Sequence, residues 1–311
     1  MKAQEQIESL WKLGGLTWQE LLRRTWGGIN KNDLINRAYE LAFNFLFAVF
    51  PLLLFLVALL GFFASEGTAL RNNLLLYFQL MLPPDASHLV ARTMRETTRN
   101  ASSGKMTFGL LFALYSGTAG MTQLTSTLNA AYEVRETRSW IRVHLISLAL
   151  TLVMSVLMIA ALLLVLFGGE AARWIGHSFG LGTLVYALIK IFQWAVALCL
   201  VILAFALIYY FAPDVNGQRW YWITPGSMIA VLLWAIASAG FRAYLHFFNT
   251  YSATYGSLGA VIILMLWFYV TGLAMLIGGE INATIEHAAA EKGHPEAKAP
   301  GEKTINPERA A

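Results

Sequence analysis

Long stretches of this chain carry no charge. A helix needs about 20 apolar residues to cross the hydrocarbon core of a bilayer. Windows of that length recur at 41–63, 106–132, 145–167, 184–211 (broken only by Lys190) and 221–241, the last running on past Arg242 to about 247. A further stretch, 243–279, has no Asp, Glu, Lys or Arg; its Asn249-Thr250-Tyr251-Ser252 reads as a turn, which sets a last span at 258–281. The pattern predicts an all-α protein: a polytopic membrane bundle of six transmembrane helices, with short interfacial and outer-face helices. Composition points the same way. Charged residues are 13% and hydrophobic residues 57% of the chain, against roughly 25% and 45–50% in soluble domains. Too few charges remain to cover a water-facing surface, which excludes an ordinary soluble enzyme. A lone cysteine, Cys199, excludes a disulfide scaffold, and a net charge of +4 is too small for a nucleic-acid footprint.

Three parts follow from this pattern. Residues 1–40 carry eleven charged side chains and read as a cytoplasmic amphipathic segment, with no signal peptide before the first span. Within them Thr17 and Glu20 have capping-box spacing. Trp18, Leu21, Leu22 and Trp26 form an apolar stripe opposite Arg23 and Arg24. Such a helix either lies in the headgroup layer or packs on the bundle. Residues 41–285 form the transmembrane domain, with 64–105 as an outer-face helical cap split by Pro83-Pro84. Residues 286–311, charged and holding Pro295, Pro300 and Pro307, read as a disordered cytoplasmic tail. Segments 1–40, 133–142, 212–222 and 286–311 together hold 14 Lys and Arg, and the opposite set holds 6. By the positive-inside rule both termini are cytoplasmic.

The second span is the most polar. Thr118, Thr122, Thr125, Asn129 and Glu133 recur at spacings of 4, 3, 4 and 4, which places them on one helical face. Hydroxyls and amides find no partners in hydrocarbon, so this face turns either to neighbouring helices or to a wet passage. Lys190, Arg242 and His246 form a second candidate set toward the outer leaflet, with no intramembrane carboxylate in reach. They would attract the phosphate of a headgroup, or simply snorkel to the surface. Ala235 and Ala239, and Ala274 and Gly278, have the small-xxx-small spacing of close helix contacts. Pro51 and Pro225 read as kinks or caps. The six histidines have no ligand spacing, and P-loop and Gly-x-Ser-x-Gly motifs are missing. No catalytic residue, metal or cofactor is assigned.

A resemblance sharpens this reading. The runs Phe50-Pro51-Leu52-Leu53-Leu54 and Leu128-Asn129-Ala130-Ala131-Tyr132, with Arg138 beyond, are followed by Tyr209-Tyr210-Phe211-Ala212-Pro213-Asp214. Further on come Pro225-Gly226, Tyr255-Gly256-Ser257-Leu258-Gly259, Leu266-Trp267 and Gly278-Gly279-Glu280-Ile281-Asn282-Ala283. Together these resemble the YihY/BrkB family of bacterial inner-membrane proteins over roughly residues 30–285. The resemblance implies a six-helix protein of the cytoplasmic membrane in which Pro51, Asn129, Tyr132, Pro213, Pro225, Gly226, Tyr255, Gly256, Trp267, Gly279 and Glu280 are motif positions. Some members carried a ribonuclease BN label, which no residue set here supports. Members are linked to envelope integrity and lipid movement toward the outer membrane. The expectation is a protein that handles phospholipid-like molecules, with membrane lipids and possible periplasmic lipid-bridge proteins as partners. A small-solute or ion transporter and a non-transporting scaffold are the alternatives; the oligomeric state is left open.

Overall fold

The computed structural model describes residues 11–63, 103–178, 183–215, 224–247, 257–294 and 297–303. All of its regular elements are helical: a 3-10 turn at Leu13–Gly15, then α1 Trp18–Lys31, α2 Leu34–Phe63, α3 Ser103–Ala131, α4 Trp140–Ser178, α5 Thr183–Phe211, α6 Pro225–Phe247 and α7 Ser257–Glu291. The expected outer-face cap (but for its last residues, where α3 begins), the Asn249–Ser252 turn, Tyr255 and Gly256 lie outside the described residues. Among the described residues, four helical segments are long and apolar enough to cross a membrane: Trp140–Ala161, Ala187–Phe211, Pro225–Tyr244 and Val261–Glu291. Their outward faces carry Leu145, Met158, Phe192, Trp194, Leu232 and Ile236 exposed. In water that surface would be costly to leave open, and a bilayer covers it. Helices α2 and α3, at 30 and 29 residues, match the others in length.

The best-packed core lies at one end. Leu34, Leu41, Leu124, Leu128, Ile208 and Leu276 are each within 2% of full burial, and they join α2, α3, α5 and α7 into one cluster. Close approach at this end depends on glycine. A Cβ on Gly278 of α7 would stand 2.4 Å from the Tyr209 hydroxyl of α5 and 2.6 Å from both Ala230 Cβ and Gly226 O of α6. The small-residue contact is therefore Gly226 and Ala230 against Gly278, while Ala235 and Ala239, one to two turns further along α6, are exposed. Helix α6 begins as its sequence dictates. Pro225 occupies the first turn, where a missing N–H costs nothing, and Ser227 N donates to Thr224 Oγ1 at 3.1 Å.

At the charged end α1 does both things its stripe allows. Glu20 N donates to Thr17 Oγ1 at 3.3 Å, which caps the helix. The Glu20 carboxylate turns away to Arg23 and Arg24, and these guanidiniums hold it at a pKa of about 2. Leu21, Thr25 and Ile29 are buried inward, whereas Trp18, Leu22 and Trp26 face outward. The apolar stripe is thus divided between bundle and surroundings. Residues 286–294 and 297–303, the described part of the expected disordered tail, depart from that expectation. Residues 286–291 continue α7, and Ala297 and Lys298 are buried. An ion pair of 2.9 Å from Lys298 to Glu286 makes that burial tolerable. Proline and charge in the sequence signalled disorder, and local ion pairing overrode them.

Candidate functional site

The polar face of α3 separates into two halves. Thr118 Oγ1 donates to Leu114 O at 2.7 Å and Thr122 Oγ1 to Thr118 O at 2.9 Å. Such bonds to the carbonyl four residues back satisfy a hydroxyl within its own helix, so this upper half needs no outside partner. Thr125 differs. It is 1% exposed, and its hydroxyl has no hydrogen-bond partner. One turn on, Asn129 spends its whole amide: Nδ2 donates to Glu136 Oε2 at 2.8 Å, and Oδ1 accepts from Asp214 N at 2.6 Å.

Glu133 does not extend this face. Helix α3 ends at Ala131, and Glu133 takes a left-handed φ of 55°. Val134 N donates to Asn129 O at 2.9 Å, the bond that closes a Schellman-type end. Glu133 swings out to pair with Lys31 of α1 at 2.6 Å. Beyond this turn Glu136 and Arg138 form a fork, with Arg138 Nε to Oε1 at 2.8 Å and Nη2 to Oε2 at 2.7 Å. Burial works against the Glu136 charge, but the Arg138 fork and Asn129 outweigh it and hold the carboxyl below its usual range. Asp214 is the hub next door. It accepts from Thr137 N at 2.9 Å and Thr137 Oγ1 at 2.8 Å, pairs with Arg138 at 3.5 Å, and also receives Lys303. Burial raises its pKa, yet Lys303, Thr137 and Arg138 together depress it to about 2. One latch therefore ties the ends of α3 and α5 to the returning C-terminal segment.

Against this latch lies a cavity of about 350 Å³. Arg37 of α2, Thr122, Thr125, Ser126 and Asn129 of α3, and Glu136 contribute to its wall. The lower half of the sequence-predicted stripe thus borders open volume. Arg37 Nε donates to Asn32 O at 3.1 Å. Among the described residues, no group of three or more His, Cys, Asp or Glu could hold a metal ion.

The other candidates sit elsewhere. Lys190 is half-exposed on α5 and Arg242 is exposed on α6. His246 lies in α6 and Pro51 in α2, both with side chains outside the described residues. Several motif positions hold helices together. Tyr132 is buried beside Val134 and Ala283, Pro213 is buried before Asp214, and Gly226 N donates to Asn282 Oδ1 at 3.0 Å. Trp267 packs 5.5 Å from Phe241 and 6.1 Å from Trp234. A Cβ on Gly279 would lie 2.4 Å from Leu128 Cδ2. Glu280 is 5% exposed and accepts from Asn32 Nδ2 at 3.1 Å. Its carboxylate lies over Gly28, where a Cβ would meet Oε1 at 1.8 Å.

Sequence reasoning missed Arg37, Glu136 and Lys303. The first two lie in segments read only for net charge, and the third in the tail read as disordered. Comparison with known proteins places the chain in context. The family model described as virulence factor BrkB matches residues 25–302. A ribonuclease-like protein of Bacillus subtilis (strain 168), YfkH, is 34% identical over 250 residues, covering 80% of this chain and 89% of that protein. A UPF0761 membrane protein of Cronobacter sakazakii is 27% identical, covering 87% of this chain and 89% of its own. One from Laribacter hongkongensis is 26% identical, and the match spans only 60% of its length. No solved structure matches.

Proposed function

The chain belongs to the BrkB family of multi-pass membrane proteins, and from that premise we propose that it handles phospholipid-like molecules in the bacterial inner membrane. On this reading α2 and α3 join the four strongly apolar segments as spans, giving six. Both termini face the cytoplasm, as the Lys and Arg asymmetry favours. On this reading the protein has no catalytic role, in keeping with Glu136 and Asp214 beside the cavity being held by Arg138, Lys303, Thr137 and Asn129.

One observation carries the proposal. Thr122, Thr125 and Asn129 border a cavity of about 350 Å³ in place of a sealed contact. That volume is near the lower end of small-molecule sites, which run from about 300 to 1,000 Å³. It suits a polar headgroup, with acyl chains left to the bilayer. The cavity lies at the α2–α3–α4 end, and the proposal places the headgroup contact there.

Lipid mass spectrometry of protein purified in mild detergent tests the reading. Enrichment of phospholipid over the surrounding extract, lost when Thr125→Phe fills the cavity, is expected. Lipid recovery unchanged by that substitution in a folded protein removes the support. A solute path is the second reading, favoured by the cavity being too small for a whole lipid; solute flux in proteoliposomes without lipid enrichment would select it.

A further inference from the structure

The charge inventory of this cavity specifies the kind of headgroup. Two ionisable groups line it, Arg37 and Glu136. Both oxygens of Glu136 are occupied: Oε1 by Arg138 N and Nε at 2.9 and 2.8 Å, Oε2 by Asn129 and Arg138 Nη2 at 2.8 and 2.7 Å. Arg37 is half-buried and forms no ion pair with the other described residues; its one side-chain hydrogen bond among them leaves through Nε. Of the cavity's two charges, only the cation is uncompensated.

Hydrogen-bond donors show the same bias. Thr125 Oγ1 is buried without a partner, and the exposed Ser126 beside it has no side-chain hydrogen bond to the other described residues. A buried hydroxyl left unpaired costs about 1–3 kcal/mol, which a bound acceptor would recover once rotation about the Cα–Cβ bond turns this hydroxyl to the cavity. Guanidinium nitrogens and hydroxyls suit phosphate oxygens. Thr125 lies six residues before the end of α3, roughly 9 Å along the axis at 1.5 Å per residue.

We infer that this cavity is a site for an anionic phosphate group, with Arg37 as its counter-charge and Thr125 and Ser126 as hydroxyl donors. The inference rests on the lipid-handling reading only for the source of the phosphate. Asn129 and Arg138 act as positioning residues, holding Glu136 away from the ligand. A zwitterionic headgroup is disfavoured, because its ammonium finds no free carboxylate.

Full-length protein in nanodiscs, titrated with phosphatidylglycerol, phosphatidylcholine and inorganic phosphate in separate arms, tests it. Phosphatidylglycerol should bind about tenfold more tightly than phosphatidylcholine, about 1.4 kcal/mol: both phosphodiesters bring the same charge to Arg37, but the choline cation is repelled by Arg37 and meets no free carboxylate among the lining residues. Arg37→Gln should erase that preference, and Arg37→Lys should keep most of it. Retained preference in Arg37→Lys separates loss of charge from loss of folding. Competition by inorganic phosphate through Arg37 marks a water-soluble source and leaves the anion site standing. Equal binding of the two lipids by the wild type, or an unchanged preference in Arg37→Gln, overturns the site. If the Arg37-dependent preference holds but lipid delivery in cells does not need the protein, the lipid-handling reading fails alone. If delivery needs the protein but not Arg37, the anion site fails alone.

Discussion

Asp214→Asn is the sharpest probe of the latch that borders the cavity, because the side chain keeps its shape and loses only its charge. The carboxyl is 7% exposed, and it meets Lys303 and Arg138 as cations and Thr137 as a neutral donor. Its pKa is lowered from 3.8 to about 2. At 1.36 kcal/mol per unit, that displacement stabilises the fold by about 2 kcal/mol at neutral pH. The sign follows from the direction. A depressed carboxylate contributes fully above its unfolded pKa, near pH 4, and loses that contribution as pH falls toward 2. Apparent Tm of full-length protein in detergent should drop by about 4–8 °C at pH 7 on this substitution, using the usual 2–4 °C per kcal/mol for chains of comparable size. The gap between wild type and variant should then narrow as pH is lowered from 5 to 3. Other carboxylates titrate in both proteins, so the difference isolates Asp214. Equal Tm values at pH 7, or a gap that does not change with pH, would refute the assignment of Asp214 as the charged hub.

Three further expectations follow from the same contacts. Gly278→Leu should lower Tm more than Asp214→Asn, since even a Cβ there meets Tyr209, Ala230 and Gly226 at 2.4–2.6 Å, and a compensating Ala230→Gly should recover little because two other contacts remain. Lys31→Ala should change Tm by no more than about 4 °C, because its pair with Glu133 has a lysine 64% exposed and exposed pairs are worth about 0–1 kcal/mol. Limited digestion of native protein with a lysine-specific protease should spare Lys298, which is 3% exposed, while cutting at the exposed Lys292; rapid cleavage at Lys298 would count against the packed C-terminal segment.

Much of the architecture is legible in the sequence because the bilayer allows few alternatives: an uncharged run of span length has to be a helix, and α5, α6 and α7 begin within four residues of where charge and turn chemistry put them. Their other ends are less legible. Helix α7 runs to Glu291, about ten residues past the expected limit of its span, because helical hydrogen bonding does not stop where the hydrocarbon does. Its added turns find a docking surface in the 3-10 turn and α1, whose Leu13 and Leu21 pack on Ile281 and Ile285. Hydropathy records where a helix leaves lipid. It does not record what the helix meets afterwards. The same limit hid the C-terminal segment, where Lys298 and Lys303 look like solvated charge until Glu286 and Asp214, distant or differently placed in the chain, come beside them.

The threonine stripe shows why a polar face within a span is ambiguous by itself. A hydroxyl in a helix can always turn to the carbonyl four residues earlier, as Thr118, Thr122 and Thr127 do, and a stripe satisfied in that way packs as quietly as an apolar one. What separates a site from packing is the member that forgoes this bond beside volume and charge. Thr125 is that member: unpaired, and lining the same cavity as Arg37, a cation with no ion pair to the other described residues. Spacing in the sequence can place such a residue on the right face. Whether its hydroxyl is free depends on rotamer and neighbours, and the cavity beside it is lined in part by Val134 and Glu136 of the loop that Arg138 fastens to Ala212 O and Asp214. The latch therefore has a functional reading as well as a structural one. By binding Glu136 on every oxygen it keeps the cavity's net charge positive, so Arg138→Gln should weaken anion binding at a residue that never touches the ligand, while Arg37→Gln removes the contact itself.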